Sequence, residues 1–203
     1  FVTHSLVGAG VARLAAPKRR WIQQLSLAGV LGALLIDADP WLYLIDPAYY
    51  GKYHRVATHS FAGMVVMAGL SAGIAWLVLR KVDWRRFGWF VSDNLSRAEA
   101  PPARAPFWLF AAVAGGAVVT HFLGDVITGF GNMKPLWPWS DWDASLAAVN
   151  SFDFVIFGLT LGWHVVLRQL HTRRRELLVT AVFGLVVVCY VVVRYLWGPP
   201  AFI

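Results

Sequence analysis

Residues 107–128 read FWLFAAVAGGAVVTHFLGDVIT, an apolar run interrupted only toward its end by His121 and Asp125. A membrane-spanning α-helix needs about 20 consecutive, mostly apolar residues. This stretch therefore reads as a spanning helix that carries two ionisable groups near one end. Their i, i+4 spacing puts both side chains on one helix face. Ionisable groups at membrane depth are costly, and they are rare without a partner or a role.

Five further apolar segments flank this one. Val2–Ala16 ends at Pro17 and the basic run Lys18-Arg19-Arg20. Trp21–Ile36 closes at Asp37-Ala38-Asp39-Pro40, where the residue before proline disfavours the helical region. A third segment runs from about His54 to Leu79, and Phe152–Leu170 and Leu177–Trp197 follow the quoted helix. The predicted fold class is all-α: a polytopic transmembrane bundle of about six helices, forming one domain over residues 1–203. The first two helices are short for a span, so their ends are expected below the membrane surface.

The connection over residues 82–106 differs in composition. Val82–Leu95 places Trp84, Phe87 and Val91 at helical spacing beside Arg85 and Arg86, which fits an interfacial helix or a solvated loop. Ala100–Pro106 reads as a linker. Hydrophobic residues make up 58% of the chain, against roughly 45–50% in soluble domains. Residues 1–16 lack the basic start and cleavage site of a signal peptide. The single cysteine, Cys189, lies in an apolar run and reads as a helix-packing residue without a disulfide partner in this sequence.

The formal charge of +7 would suggest nucleic acid in a soluble protein, but here the cations flank apolar runs and no nucleic-acid partner is expected. Beside the loops after helices one, three and five lie 14 of the 18 Lys and Arg residues. Only Lys52, Arg55, Lys134 and Arg194 fall on the other side. Positive loops stay cytoplasmic, so both ends of the sequence are expected on the non-cytoplasmic face.

The reactive residues show the opposite bias. His4 opens helix one, Asp37 and Asp39 close helix two, and His54 and His59 open helix three. His121 and Asp125 lie near the end of helix four, and Asp153 opens helix five. An alternating bundle gathers all these ends at the non-cytoplasmic face. Imidazole and carboxylate together form a ligand set for zinc, iron or manganese. Taken singly, each piece has another reading. His121 and Asp125 can simply hydrogen-bond, Asp37 and Asp39 can be a polar helix end, and His4 can be a surface residue. His54 and His59, five apart, point apart on a helix unless His54 precedes it, whereas Arg55 and His59 share a face. Pro135-Leu136-Trp137-Pro138-Trp139-Ser140 is aromatic and fits an interfacial anchor or a lid over a substrate. His164 and His171 lie toward the basic side, apart from this set.

These motifs resemble the bacterial family of LexA-binding, inner-membrane-associated metal-dependent hydrolases. The resemblance rests on Thr3-His4, Asp37-Ala38-Asp39, His54-Arg55-Val56-Ala57-Thr58-His59-Ser60 and Thr120-His121-Phe122-Leu123-Gly124-Asp125. Leu136-Trp137-Pro138-Trp139-Ser140-Asp141 and Asp153 complete it, up to about residue 160. Val56 stands where that family often has glycine, and Phe154 where it often has proline. The resemblance implies a metal hydrolase of the bacterial inner membrane, with His4, Asp37, Asp39, His54, His59, His121, Asp125 and Asp153 as functional positions.

The residues and the resemblance together predict one or more divalent ions, zinc first among them, held just beneath the outer membrane surface. Asp37, Asp39, His59, His121 and Asp125 are the first candidate ligands; His4, His54 and Asp153 come second. Asp37 or Asp39 can instead serve as general base, and Arg55 or Lys134 can bind a substrate anion. His59 and His121 are expected a turn or more inside their helices, a depth that suits a membrane lipid or lipid-linked substrate. A phosphoester is slightly preferred. A metal-ion or proton transporter built on the same cluster is the alternative, although such a pathway needs polar residues across the full depth. A LexA-type repressor partner can meet only the basic loops, far from the site.

Overall fold

The computed structural model describes residues 2–39, 44–48, 53–81, 104–128, 132–150 and 153–197. Among them are six α-helices and no strand: α1 (Val2–Ala15), α2 (Ile22–Leu35), α3 (Phe61–Lys81), α4 (Phe107–Thr128), α5 (Phe154–Gln169) and α6 (Arg173–Trp197). A short 3₁₀ turn at Arg19–Trp21 leads into α2. The chain is thus an all-α helical bundle, as its hydrophobic segments require. Helices α3, α4 and α6 are long and apolar enough to cross a membrane, and α2 and α5 are shorter apolar helices. The expected interfacial helix and most of the linker, residues 82–103, lie outside the described residues.

Helix α2 packs against α1, α3 and α4, and α4 against α1 and α3, whereas α5 lies on α1 and α6 pairs with α5. Gly8 and Gly29 let α1 and α2 meet backbone to backbone, since a Cβ on either would collide with the carbonyl oxygen of the other. Small residues allow such close approach where no hydrophobic force drives helices together in lipid. Leu25, Leu109, Phe110 and Val113 fill the core at one end of the bundle. Ile36, Met64, Val118, Phe122 and Met133 fill it at the other. Buried Ser26, Ser71 and Thr160 return their hydroxyls to the carbonyls of Ile22, Met67 and Ile156, one turn back, so none is left unsatisfied.

Three helix boundaries differ from the sequence expectation. Helix α3 starts at Phe61 rather than His54, because Ser60 caps it: the Gly63 N–H donates to Ser60 Oγ at 3.0 Å. Helix α5 starts at Phe154, behind Asp153, whose carboxylate accepts from the Val155 and Ile156 amides. Helix α6 begins a turn early, at Arg173, because that turn is anchored by Glu176. Glu176 is buried and paired with buried Arg13 at 3.0 Å and with Arg19 at 2.9 Å. Arg13 also donates to the Leu170 carbonyl, so one acidic residue ties α1, the 3₁₀ turn and α6 together. The rest of α6 turns outward, and Cys189 is exposed there, not packed between helices as expected.

The segment 132–150 folds back over the ends of α3 and α4. Asp143 organises it by accepting from the amides of Asn132, Met133 and Ser145. The amides of Leu146, Ala148 and Val149 satisfy the Val126 and Ile127 carbonyls of α4, which have no partner inside their own helix end. Phe61, the first residue of α3, donates its amide to the Pro135 carbonyl.

Candidate metal centre

Four side chains from three parts of the chain converge in the bundle. Asp37 lies just beyond the end of α2, His59 in the turn before α3, and His121 and Asp125 on the last turns of α4. One ligand atom from each lies within 4.8 Å of the other three. His59, His121 and Asp125 are almost wholly buried, and Asp37 is partly so. His59 Nε2 is 3.4 Å from Asp37 Oδ1 and 3.3 Å from Asp125 Oδ2. His121 Nε2 is 3.3 Å from Asp37 Oδ2 and 3.3 Å from Asp125 Oδ2.

The far side of each imidazole decides what the near side presents. His121 Nδ1 lies 2.7 Å from the Ala33 carbonyl oxygen, which can only accept, so Nδ1 carries the proton. The neutral ring then turns a bare Nε2 lone pair toward the two carboxylates. His59 Nδ1 lies 2.9 Å from Thr58 Oγ1, a contact that holds the ring in place while the hydroxyl can either donate or accept. Asp37 Oδ1, His59 Nε2, His121 Nε2 and Asp125 Oδ2 are all buried without a hydrogen-bond partner. Acceptors that face one another in this manner repel unless a cation or protons stand between them. Each Nε2 lies 3.3–3.4 Å from two carboxylate oxygens, a separation that suits a protonated imidazole paired with them or a cation held between the four. The four imidazole–carboxylate distances of 3.3–3.4 Å match neighbouring donors in a zinc tetrahedron, roughly 3.3–3.4 Å apart for bonds of about 2.0–2.1 Å, while the set as a whole spans up to 4.8 Å.

Around this group lie the other predicted residues, in different positions. His4 borders it, with Nε2 at 3.5 Å from Asp125 Oδ1 and its ring stacked on His121 at 3.9 Å between centroids. Gly124 makes room for it, since a Cβ there would sit 3.1 Å from His4 Cε1. Arg55 reaches Asp125 Oδ2 at 3.1 Å. Asp39 is buried but stands outside the group of four: its Oδ2 accepts from the Arg55 amide at 2.9 Å and lies 3.0 Å from His54 Nδ1. His54 is likewise outside the group, turned toward Asp39. Asp153 caps α5 and accepts from the Tyr190 hydroxyl at 2.7 Å, away from the four. Lys134 pairs with Asp141 on the surface.

His59 therefore stands before its helix, not inside it, and the expected shared face of Arg55 and His59 gives way to a turn. Arg55 has a φ of 62°, a left-handed conformation unusual for a residue with a side chain. The Asp39 acceptor and the Asn132 side chain, which donates to the His54 carbonyl at 3.0 Å, hold this turn in place. Sequence reasoning missed the groups that orient the imidazoles. Thr58 stood beside His59 in plain view. Ala33 left a fainter signal: carbonyls in the last turn of a helix have no intrahelical partner and are free to accept.

A family model for the YdjM inner membrane protein matches residues 1–199, nearly the whole chain. The chain belongs to the YdjM inner membrane protein family. No curated protein and no solved structure matches it. YdjM membership and the apolar helices place this bundle in the inner membrane.

Proposed function

We propose that this chain is a multi-pass metal-dependent hydrolase of the inner membrane, acting on a lipid or lipid-linked substrate at the non-cytoplasmic face. The observation that carries this reading is the convergence of four buried side-chain atoms of Asp37, His59, His121 and Asp125, turned toward one another, with Arg55 at the edge against Asp125. Two neutral imidazoles and two carboxylates suit zinc, and also iron or manganese. The resemblance to metal-dependent hydrolases of the inner membrane supports the reaction class. The split of basic residues, 14 of 18 beside the loops opposite the site, supports the orientation.

A divalent ion bound there supplies Lewis acidity and lowers the pKa of water from about 15.7 toward about 7. The chain's own residues do the rest. The Ala33 carbonyl and Thr58 hydroxyl fix the two imidazoles, as partners of metal-bound histidines do elsewhere. The Arg55 guanidinium stands at the edge of the group, where it can bind a phosphoryl oxygen, and this favours a phosphoester over an amide or carboxylic ester. Asp39 positions Arg55. His4, 3.5 Å from Asp125, is the group assigned to carry a proton to the leaving group.

The test is hydrolysis of a panel of bacterial lipids in nanodiscs, with release of phosphate, headgroup or fatty acid measured. Wild type should turn over at least one lipid, and His59→Ala and Asp125→Ala should lose that turnover by orders of magnitude. Asp125-dependent conduction of zinc or protons in liposomes, with no lipid turned over, would replace the hydrolase with a transporter.

A further inference from the structure

Beside the metal group lies a cavity of about 710 Å³, bounded by α1, α4, α5 and α6. Its wall is mostly hydrocarbon, from residues such as Val7, Leu123, Phe157, Phe183 and Val187. The volume falls within the roughly 300–1,000 Å³ of small-molecule sites. It exists because α5 docks on α1 and α6 but leaves a gap toward α4. Phe183 and Val192 both line it, and they lie roughly 14 Å apart along the α6 axis, so the space is an elongated groove, open along exposed Leu123, Phe154 and Val188.

The two ends differ in chemistry. Phe183 and Val7 close one end with apolar groups. At the other end lie His4, Asn150, Asp153 and Thr128. Asn150 Oδ1 is buried there with no hydrogen-bond partner, so it offers an acceptor to a hydroxyl or amide brought by a ligand. His4 is common to the cavity and to the metal group, since its ring lines the one and lies against Asp125 and His121 of the other. Water gains little in such an apolar space, whereas a membrane surrounds these helices with hydrocarbon chains.

We propose that this cavity holds one hydrocarbon chain of a bilayer phospholipid, entering sideways, with its headgroup end brought to His4 and the metal group. The inference rests on the hydrolase reading for the headgroup's fate, but the chain site itself is tested without turnover. It implies selection by chain, since the cavity has room for one apolar tail beside a hydrogen-bond donor that Asn150 receives.

The experiment uses phosphatidylglycerol carrying a mid-chain diazirine, in vesicles of phosphatidylethanolamine and phosphatidylglycerol containing the whole protein. After photolysis, adducts are mapped by mass spectrometry. Adducts at Phe157, Val187 and Val191 should saturate as probe content rises. Those at Val65 and Val66, exposed on the outer face of α3, should rise in proportion to it. Val187→Trp should abolish the lining adducts and leave the α3 adducts unchanged. Should that variant lose its helices, Val188→Phe, on the more exposed rim, takes its place. Lining adducts that rise in proportion to the probe and survive both substitutions would overturn the proposal, because they would report bulk lipid only. Metal content measured on the same preparations separates the two readings. Saturating adducts in a protein that binds no metal support the chain site and sink the hydrolase. Metal-loaded protein with bulk-like adducts does the reverse.

Discussion

The Asp39 carboxylate accepts a 2.9 Å hydrogen bond from the backbone amide of Arg55, a residue held in the left-handed region at φ 62°. A left-handed conformation costs a residue with a Cβ roughly 1–2 kcal/mol. Asp39 thus stabilises a strained turn whose product is a guanidinium 3.1 Å from Asp125. Two substitutions separate these roles. Asp39→Ala leaves the Arg55 amide without its acceptor and should destabilise the protein by about 1–3 kcal/mol. It should lower hydrolysis while most of the metal stays bound. Arg55→Gly removes the strain but also the guanidinium paired with buried Asp125, so hydrolysis should be lost while stability falls by less than the roughly 3–5 kcal/mol of a broken buried pair. Thermal unfolding in detergent and elemental analysis read the two effects; complete metal loss in Asp39→Ala would make it a ligand instead.

Metal removal is the second test. Purified protein should carry near-stoichiometric zinc or a similar ion. His121→Ala and Asp125→Ala should each lower the content, whereas His171→Ala, remote from the site, should match wild type. An ion present at 1,000 times its Kd stabilises the folded state by about 4 kcal/mol, so chelation should lower the unfolding temperature visibly. An unfolding temperature indifferent to chelator would count heavily against a bound ion.

Glu176 should matter as much to stability as it matters little to chemistry. Removing one partner of a buried ion pair leaves the other charge uncompensated, at a cost on the order of 3–5 kcal/mol. Glu176→Ala strands buried Arg13, so it should weaken the docking of α6 and lower the unfolding temperature. Exchanging both partners for apolar residues, Arg13→Met with Glu176→Leu, should recover much of the loss. Metal content per folded protein should be unchanged in both, as measured in the folded fraction after size exclusion.

Orientation follows from the basic loops. Single cysteines at Trp142 and within residues 82–105, placed in a Cys189→Ala background, report which side each loop faces. The Trp142 position should react with an impermeant thiol reagent applied from outside, and the 82–105 loop only after the membrane is opened. Labelling of the 82–105 loop from outside would reverse the proposed topology. Because Cys189 is exposed on α6, its replacement should not disturb packing.

By itself, the sequence determined the elements and the end of the bundle where chemistry collects. Length and hydropathy decide helices in lipid because backbone groups there must pair within their own segment, and the α4 span was legible to the residue. The gathering of His4, Asp37, His59, His121 and Asp125 at one end follows from alternation of the helices alone. Which residues form the group of four was decided only by the tertiary structure. Asp37 and Asp39 are two apart in a short polar stretch, and nothing in their spacing says that one faces His59 and His121 while the other holds the Arg55 turn. The start of α3 at Phe61, set by the Ser60 cap, moved His59 off the helix and out of reach of any periodicity argument. The Ala33 carbonyl that fixes the His121 tautomer and the cavity beside His4 depend on how three or more helices meet. Such contacts join residues far apart in sequence, and packing between helices, unlike the period within one, leaves no regular trace along the chain.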